Sequence, residues 1–247
     1  QALHQISDEL MEKQAHLLDP EDTFLFGRSF NIPAGATAGQ NAGSGIVVYY
    51  TLNADTKDEI KLQFSDRNDE IIQTFSSKTD PRGRPVRESA DFYEEEEPQR
   101  NGVPTTHKGL NRFVWNLRYP NVTRINGTQI LWAGGTGGQQ APPGSYHVSL
   151  WVGDEMIAKE EVEVLKDPRL TDVSKDDIMA QFNLVRDIKA KLDTTHKAIN
   201  KIREVRGEIS EALAESGDNK EAKKLAQEIR KALTEIEEAL VQTKAES

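Results

Sequence analysis

The chain contains no cysteine, which excludes disulfides, thiol nucleophiles and zinc–thiolate sites together. No apolar run approaches the roughly 18 residues that a membrane-spanning helix requires, so no membrane partner is expected. Proline is missing from the C-terminal third: all ten prolines lie at or before Pro168. So do fifteen of the seventeen glycines, every Trp and Tyr, and every Phe except Phe182. Unopposed positive charge is also missing. The formal charge is −10, and residues 169–247 hold 15 Lys/Arg against 16 Asp/Glu, which leaves most of the excess acid ahead of them. Phosphate backbones are bound by clustered cations that displace counterions. Nucleic acid is therefore excluded as a partner.

The same absences divide the chain. From about Phe24 to Leu165 the apolar residues recur in short β-branched or aromatic runs between turn residues, a pattern of strands. Strands are predicted at Phe24–Phe30, Ile46–Leu52, Ile60–Phe64, Glu70–Phe75, Asn111–Arg118, Ser145–Val152 and Met156–Val164. About seven short strands imply a β-sandwich. Ser65–Asp69 and Gly153-Asp154 supply two hairpin turns, since Asp, Asn and Gly tolerate positive φ or bond their own backbone. Ser7 is placed as the cap of a short helix whose Ile6, Leu10 and Leu17 share a face. The polar stretch Ser76–Gly109 and the segment Ala133–Gly144 read as long surface loops.

Beyond Pro168 the text is helical. Ser174 is a candidate N-cap with Asp176 and Asp177 in the first turn. Ile178, Val185, Leu192, Ile199 and Leu213, with Ile188, Ile202 and Ile209 three positions on, form an a/d seam interrupted by Thr195 and Arg206. Asp187/Lys191 and Asp193/Lys197 read as ion pairs on the wet side. Ser216–Asn219 ends this helix and starts another from Lys220 to about Lys244, with Leu225, Ile229, Leu233, Ile236 and Leu240 apolar. The short connection predicts an antiparallel α-helical hairpin. Its helices, of about 41 and about 25 residues, would measure roughly 60 and 37 Å. The seam around Ile178, Phe182 and Val185 is thus expected to bury itself elsewhere, as an interaction surface; a kink at Gly207 is the competing explanation.

Signatures of catalysis are sparse. There is no HExxH pair, no GxSxG elbow and no GxxxxGK[ST] loop, and Gly134–Gly138 lacks the lysine of a phosphate cradle. His4, His16, His107, His147 and His196 are scattered without metal-ligand spacing and read as surface or hairpin polar residues. The acidic run Glu94–Glu97 could offer oxygens to calcium, or carboxylates for glycoside hydrolysis, but is read as a solvated charge run. Among the tryptophans, Trp115 is in phase with Phe113 and Leu117 and belongs to the core, while Trp151 is assigned to a partly covered outer face. Trp132, beside the glycine-rich loop, is the candidate platform for stacking a sugar. Asn121-Val122-Thr123 and Asn126-Gly127-Thr128 fit the N-glycosylation pattern and count as surface-loop evidence. No metal ligand, cofactor or enzymatic activity is predicted.

Three stretches carry a family resemblance. Lys108–Arg118 (KGLNRFVWNLR), Ala141–Leu150 (APPGSYHVSL) and Val164–Arg169 (VLKDPR) resemble the region that follows the β-propeller in bacterial sortilin-like, BNR-repeat glycosyl hydrolase-type proteins. Gln181–Leu184 is similar to a QxxL stretch in that family's helical tail, and Leu17–Phe26 to the segment that leaves the last blade. The resemblance implies an Ig-like or fibronectin type III-like sandwich at residues 20–167, a helical hairpin at 168–247, and residues 1–19 leading from an upstream propeller. It also implies an extracytoplasmic, periplasmic or secreted, location. The chain begins at Gln1 without an initiator Met or a basic-plus-apolar leader, and so reads as an excised or processed piece. The expected role is a non-catalytic accessory module that orients the propeller of the same polypeptide, with self-association through the helices possible. The alternative is a carbohydrate-binding module that holds a glycan through Trp132 and the 133–144 loop.

Overall fold

A computed structural model describes residues 2–25, 45–79, 102–127, 135–215 and 217–241. Its elements, in chain order, are a 3₁₀ turn at Ala2–Gln5, α1 (Asp8–Glu12), β1 (Ala15–Leu17), β2 (Thr23–Leu25), β3 (Ile46–Leu52), β4 (Ile60–Asp66), β5 (Ile71–Ser76), β6 (Gly109–Trp115), β7 (Gly144–Val152), β8 (Glu155–Lys166), α2 (Lys175–Glu215) and α3 (Lys220–Leu240). The strands form a three-stranded sheet ordered β1-β3-β6 and a five-stranded sheet ordered β2-β8-β7-β4-β5. All pairings are antiparallel except β2 on β8. The chain is thus two sheets enclosing one core, followed by two helices. It divides into two compact units, Gln1–Pro120 with Gln139–Phe182, and Asn121–Gly138 with Asn183–Ser247.

Alternation builds the first unit. In β3 the buried Ile46, Val48, Tyr50 and Leu52 share one face, as do Ile60, Leu62 and Phe64 of β4 and Tyr146, Val148, Leu150 and Val152 of β7, because successive strand residues point to opposite sides. Register stacks these rows: Phe64 faces Val148, Leu62 faces Leu150, and Ile46 faces Trp115 on the other sheet. Trp115, fully buried, packs on Phe64 at 4.6 Å between centroids and edge-on to Tyr146 at 5.7 Å. Aromatic pairs at such distances add about 0.5–1.5 kcal/mol beyond the area they bury.

Polar groups close the corners. Asp66 accepts the amides of Asn68 and Glu70 at 2.8 and 2.9 Å, while Asp69 takes φ 64°, and together they form the β4–β5 turn. Tyr50 donates to the Thr105 carbonyl at 2.5 Å, and Thr105 Oγ1 donates to the buried Asn111 at 2.6 Å. Asn111 donates in turn to the His107 carbonyl at 2.7 Å, so the Asn of the GLNR stretch pins its own approach loop. Tyr146 donates to the Pro142 carbonyl, four residues back, at 2.5 Å.

Two expectations change here. Strand β6 stops at Trp115 rather than Arg118, because Leu117 adopts φ 57° while staying buried, and the Trp115 indole N–H donates to the Arg118 carbonyl at 3.1 Å. The N-terminal helix is only five residues long, and Leu17, assigned to its face, is a fully buried member of β1 paired with Tyr50. Burial on an open sheet edge outweighed the helical spacing. Of the strand predicted at Phe24–Phe30, Phe24 and Leu25 are observed in β2, which begins one residue earlier at Thr23, and residues 26–30 lie outside the described residues.

The exit of β8 is organised by charge. Asp167, 3% exposed, accepts from Arg169 Nη2 at 2.7 Å and from the Arg169 amide at 2.9 Å, which holds its carboxyl down to about 2. Ser174 then caps α2: its hydroxyl donates to Asp177 at 2.6 Å and accepts the Asp177 amide at 3.0 Å, a reciprocal cap. Helix α2 continues without a break through Gly207.

A Cβ placed on Gly45, whose φ is +139°, would lie 2.2 Å from the Trp115 carbonyl oxygen. Gly45→Ala is therefore expected to destabilise the sandwich by about 2 kcal/mol or more. A urea midpoint followed by tryptophan fluorescence checks this. Tyr146→Phe, which removes one buried hydroxyl bond, should cost about 1 kcal/mol in the same assay.

Candidate interaction site on the helical unit

Helix α2 carries polar residues at 189, 193, 196, 200 and 203, steps of four and three that put them on one side of a 3.6-residue helix. These side chains hold residues 121–127 and 135–138. Lys189 donates to the carbonyls of Gly135 and Gly137 at 2.8 and 2.6 Å. Asp193 accepts the Thr123 amide at 2.8 Å and pairs with Lys197 at 2.7 Å. The Lys197 bond, then the Thr123 amide, pulls the Asp193 carboxyl down to about 2. His196, 4% exposed, has Nδ1 2.6 Å from the Thr123 carbonyl. A carbonyl only accepts, so Nδ1 carries the proton.

Asn200 clamps the next turn of the segment, accepting from the Asn126 amide and donating to the Arg124 carbonyl, both at 2.8 Å. Arg203 donates to the Asn126 carbonyl. Within the strap, Asn121 Oδ1 accepts the Gly138 amide at 2.9 Å, and Val122 and Ile125 are buried. The Asn and Thr of the first glycosylation pattern are thus both engaged in holding the strap. Asp193 and Lys197 form the i,i+4 pair expected from sequence, whereas His196, expected as a surface or hairpin polar residue, is buried; the ladder's spacing is the signal that groups them.

The two helices are joined through charge. Glu237, 3% exposed, accepts from Arg203 Nε at 2.8 Å and from Arg206 Nη1, and Arg206 Nη2 donates to Thr234 at 2.9 Å. Farther along, Arg230 donates to Ser210 at 2.6 Å, which makes the helices antiparallel. Arg206, which interrupts the apolar seam in sequence, is thus one of the contacts that join the helices. Burial drives the Glu237 carboxyl up, but the bonds from Arg203 and Arg206 outweigh it and the net shift is downward. Asn219 caps α3, accepting two amides at 3.1 Å.

This ionic packing turns the apolar stripe of α3 away from α2. Ala226, Leu233 and Glu237 are covered or half-covered, whereas Leu225, Ile229, Ile236 and Leu240 are between 39% and 57% exposed. On α2, Leu184 and Ile188 are exposed at 63% and 57%. The residues singled out from sequence lie elsewhere. Phe182 is buried, 5.2 Å between ring centroids from Tyr119, and Ile178 and Val185 are half-buried. Trp132 and Glu94–Glu97 fall outside the described residues. His147 lies against Asp69 at 2.9 Å, and Trp151 is half-buried with Lys61 6.0 Å from its ring. Among the described residues no three His, Asp or Glu side chains converge on a possible metal position, and no helix is long and apolar enough to cross a membrane.

Two pH effects follow. Asp193 is depressed in the folded state, so its contribution is complete above its ordinary value of 3.8 and is lost as pH falls toward about 2. Glu237, also lowered, stabilises the hairpin above the ordinary glutamate range and less below it. Helix content followed by circular dichroism in urea should therefore fall as pH is lowered through these ranges, and Glu237→Gln should flatten the Glu237 part. At neutral pH Glu237→Gln should cost about 1–3 kcal/mol, since it leaves two guanidiniums short of their counter-charge.

No family model, no curated protein and no solved structure matches this chain.

Proposed function

We propose that the chain is a non-catalytic interaction module: an Ig-like, fibronectin type III-like sandwich that carries a docking hairpin beside an upstream β-propeller of the same polypeptide. Strand order supports the sandwich type. If β1, β3 and β6 are strands A, B and E, and β8, β7, β4 and β5 are G, F, C and C′, the two observed sheets follow the ABE and GFCC′ arrangement of that architecture, with β2 added as a parallel edge strand beside G. Tyr146, at the start of the strand equivalent to F, bonds back to Pro142 in the manner of the tyrosine corner. The resemblance of the GLNR, PPG-x-Y and KDPR stretches supports the propeller as neighbour, and with it an extracytoplasmic setting.

One observation carries the interaction role: the exposed stripe Leu225, Ile229, Ile236 and Leu240 on a helix whose ionic side faces its own partner. A contiguous exposed apolar surface on a folded domain marks a place where something binds. The isolated chain should enhance the fluorescence of the apolar dye ANS at neutral pH, and Leu225→Lys with Ile236→Lys should remove most of that signal. A folded chain that leaves the dye dark would sink the interaction role. Blade repeats encoded ahead of Gln1 would bear out the propeller; an unrelated domain there would refute it.

A further inference from the structure

One asparagine of the strap differs from the rest. Asn126 is exposed and precedes Gly127, which is exposed as well and turns with φ 69°. Every other described asparagine except Asn183 engages its side chain in a hydrogen bond. Asn183 lies inside α2 ahead of Leu184, so helical hydrogen bonding and a branched neighbour protect it. The side-chain amide of Asn126 has no partner among the described residues, and neither has the backbone N–H of Gly127.

These two groups can react with each other. The backbone nitrogen that follows an asparagine can attack its side-chain carbonyl carbon, and glycine, which has no Cβ, leaves that approach most open. No described atom lies within 4 Å of where a Cβ on Gly127 would stand.

The ladder of α2 supplies the activating charge. Asn200 accepts the Asn126 amide at 2.8 Å, and Arg203 donates to the Asn126 carbonyl. That carbonyl and the Gly127 nitrogen belong to one peptide group and share its delocalised electrons. When the Gly127 proton is lost, negative charge spreads onto an oxygen that a guanidinium already holds, and charge-assisted hydrogen bonds are the strong ones. Arg203 therefore stabilises the anion through which the nitrogen becomes a nucleophile.

We propose that Asn126-Gly127 is a self-modification site, at which the Gly127 nitrogen, activated by Arg203, closes on Asn126 and converts it to aspartate or isoaspartate. The bond from the Gly127 nitrogen to Asn126 Cγ forms, the Cγ–Nδ2 bond breaks, and the amide proton leaves with Nδ2 as ammonia. A solvent water then opens the cyclic imide. Attack at Cγ gives aspartate; attack at the main-chain carbonyl gives isoaspartate, with one more methylene in the backbone. Either product adds a negative charge to a chain of −10. The added methylene also shifts the carbonyl that Arg203 holds relative to the amide that Asn200 holds, which loosens the strap just past the buried Ile125.

The test incubates the whole chain in mildly alkaline buffer, folded and in urea, and follows the peptide that contains residue 126 by mass spectrometry, with isoaspartate scored by enzymatic methylation. The folded wild type should convert, faster as pH rises. Arg203→Gln should slow the folded reaction about tenfold, the size expected for losing one charged hydrogen bond to the reacting amide, and should leave the rate in urea unchanged. Arg203→Lys should recover most of the rate. Asn200→Ala, which loosens the strap but keeps the guanidinium, should convert at least as fast as the wild type; circular dichroism checks that the helices persist in each variant.

A folded chain that stays unmodified while the chain in urea converts overturns the proposal. So do equal folded rates for the wild type and Arg203→Gln. Asn200→Ala slowing the reaction as much as Arg203→Gln does also overturns it, since the order of the strap rather than the Arg203 charge would then set the rate.

Discussion

The two sheets meet at the Trp115 side chain, and much of the first unit is arranged to let it lie flat between them. Its ring touches Phe64 from the opposite sheet and Tyr146 edge-on, its N–H closes the turn onto Arg118, and its carbonyl comes so near Gly45 that no Cβ fits there. Interiors pack as densely as organic crystals, so a ring of this size constrains both neighbouring layers at once. Ala141 returns to the same place, donating its amide to the Leu117 carbonyl at 2.7 Å. The left-handed Leu117 is the local cost of bringing the chain round the indole.

Helix α2 shows a second economy. One side is a ladder of Lys189, Asp193, His196, Asn200 and Arg203 that holds an irregular segment by its backbone. Irregular chain has few internal partners for its N–H and C=O groups, and the ladder provides them. The side toward α3 is ionic, with Glu237 between Arg203 and Arg206. Buried ion pairs add little net stability but strongly disfavour other registers, because a slip leaves a charge unpaired. Ionic packing also leaves the apolar stripe free, where an all-apolar seam would have consumed it.

Strands were the more legible part of the sequence. Ile46–Leu52 alternates Ile, Val, Tyr and Leu inward and was placed to the residue, and the ends of β4, β5, β7 and β8 moved by only a few positions. Period-two burial is a local property, and turn chemistry at Asp66–Asp69 or Gly153 is local too. β1 was not legible, because three residues joined to an edge have no periodicity of their own and depend on Tyr50 being there to pair. The seam of α2 was legible as helix but not as packing. Heptad spacing treats Ile188 and Ile202 alike, yet one is exposed and the other buried, and what separates them is where Arg206 finds Glu237 and where Thr123 finds His196, contacts 31 and 73 residues apart in sequence. No window along the chain contains both members.

The N-terminal segment contributes one strand to each sheet, β1 to the first and β2 to the second. The second attachment joins the start of the chain to the end of the sandwich: Asp22 accepts the amide of Glu163, 141 residues away, and Thr23 runs beside Val164. Closing so long a loop costs entropy before any contact repays it, and non-local pairings slow folding. During synthesis Thr23–Leu25 therefore have no strand partner until β8 has left the ribosome, whereas β1 can pair as soon as β3 is made. Short, polar-flanked edge strands suit that wait, because they offer little for another nascent chain to pair with.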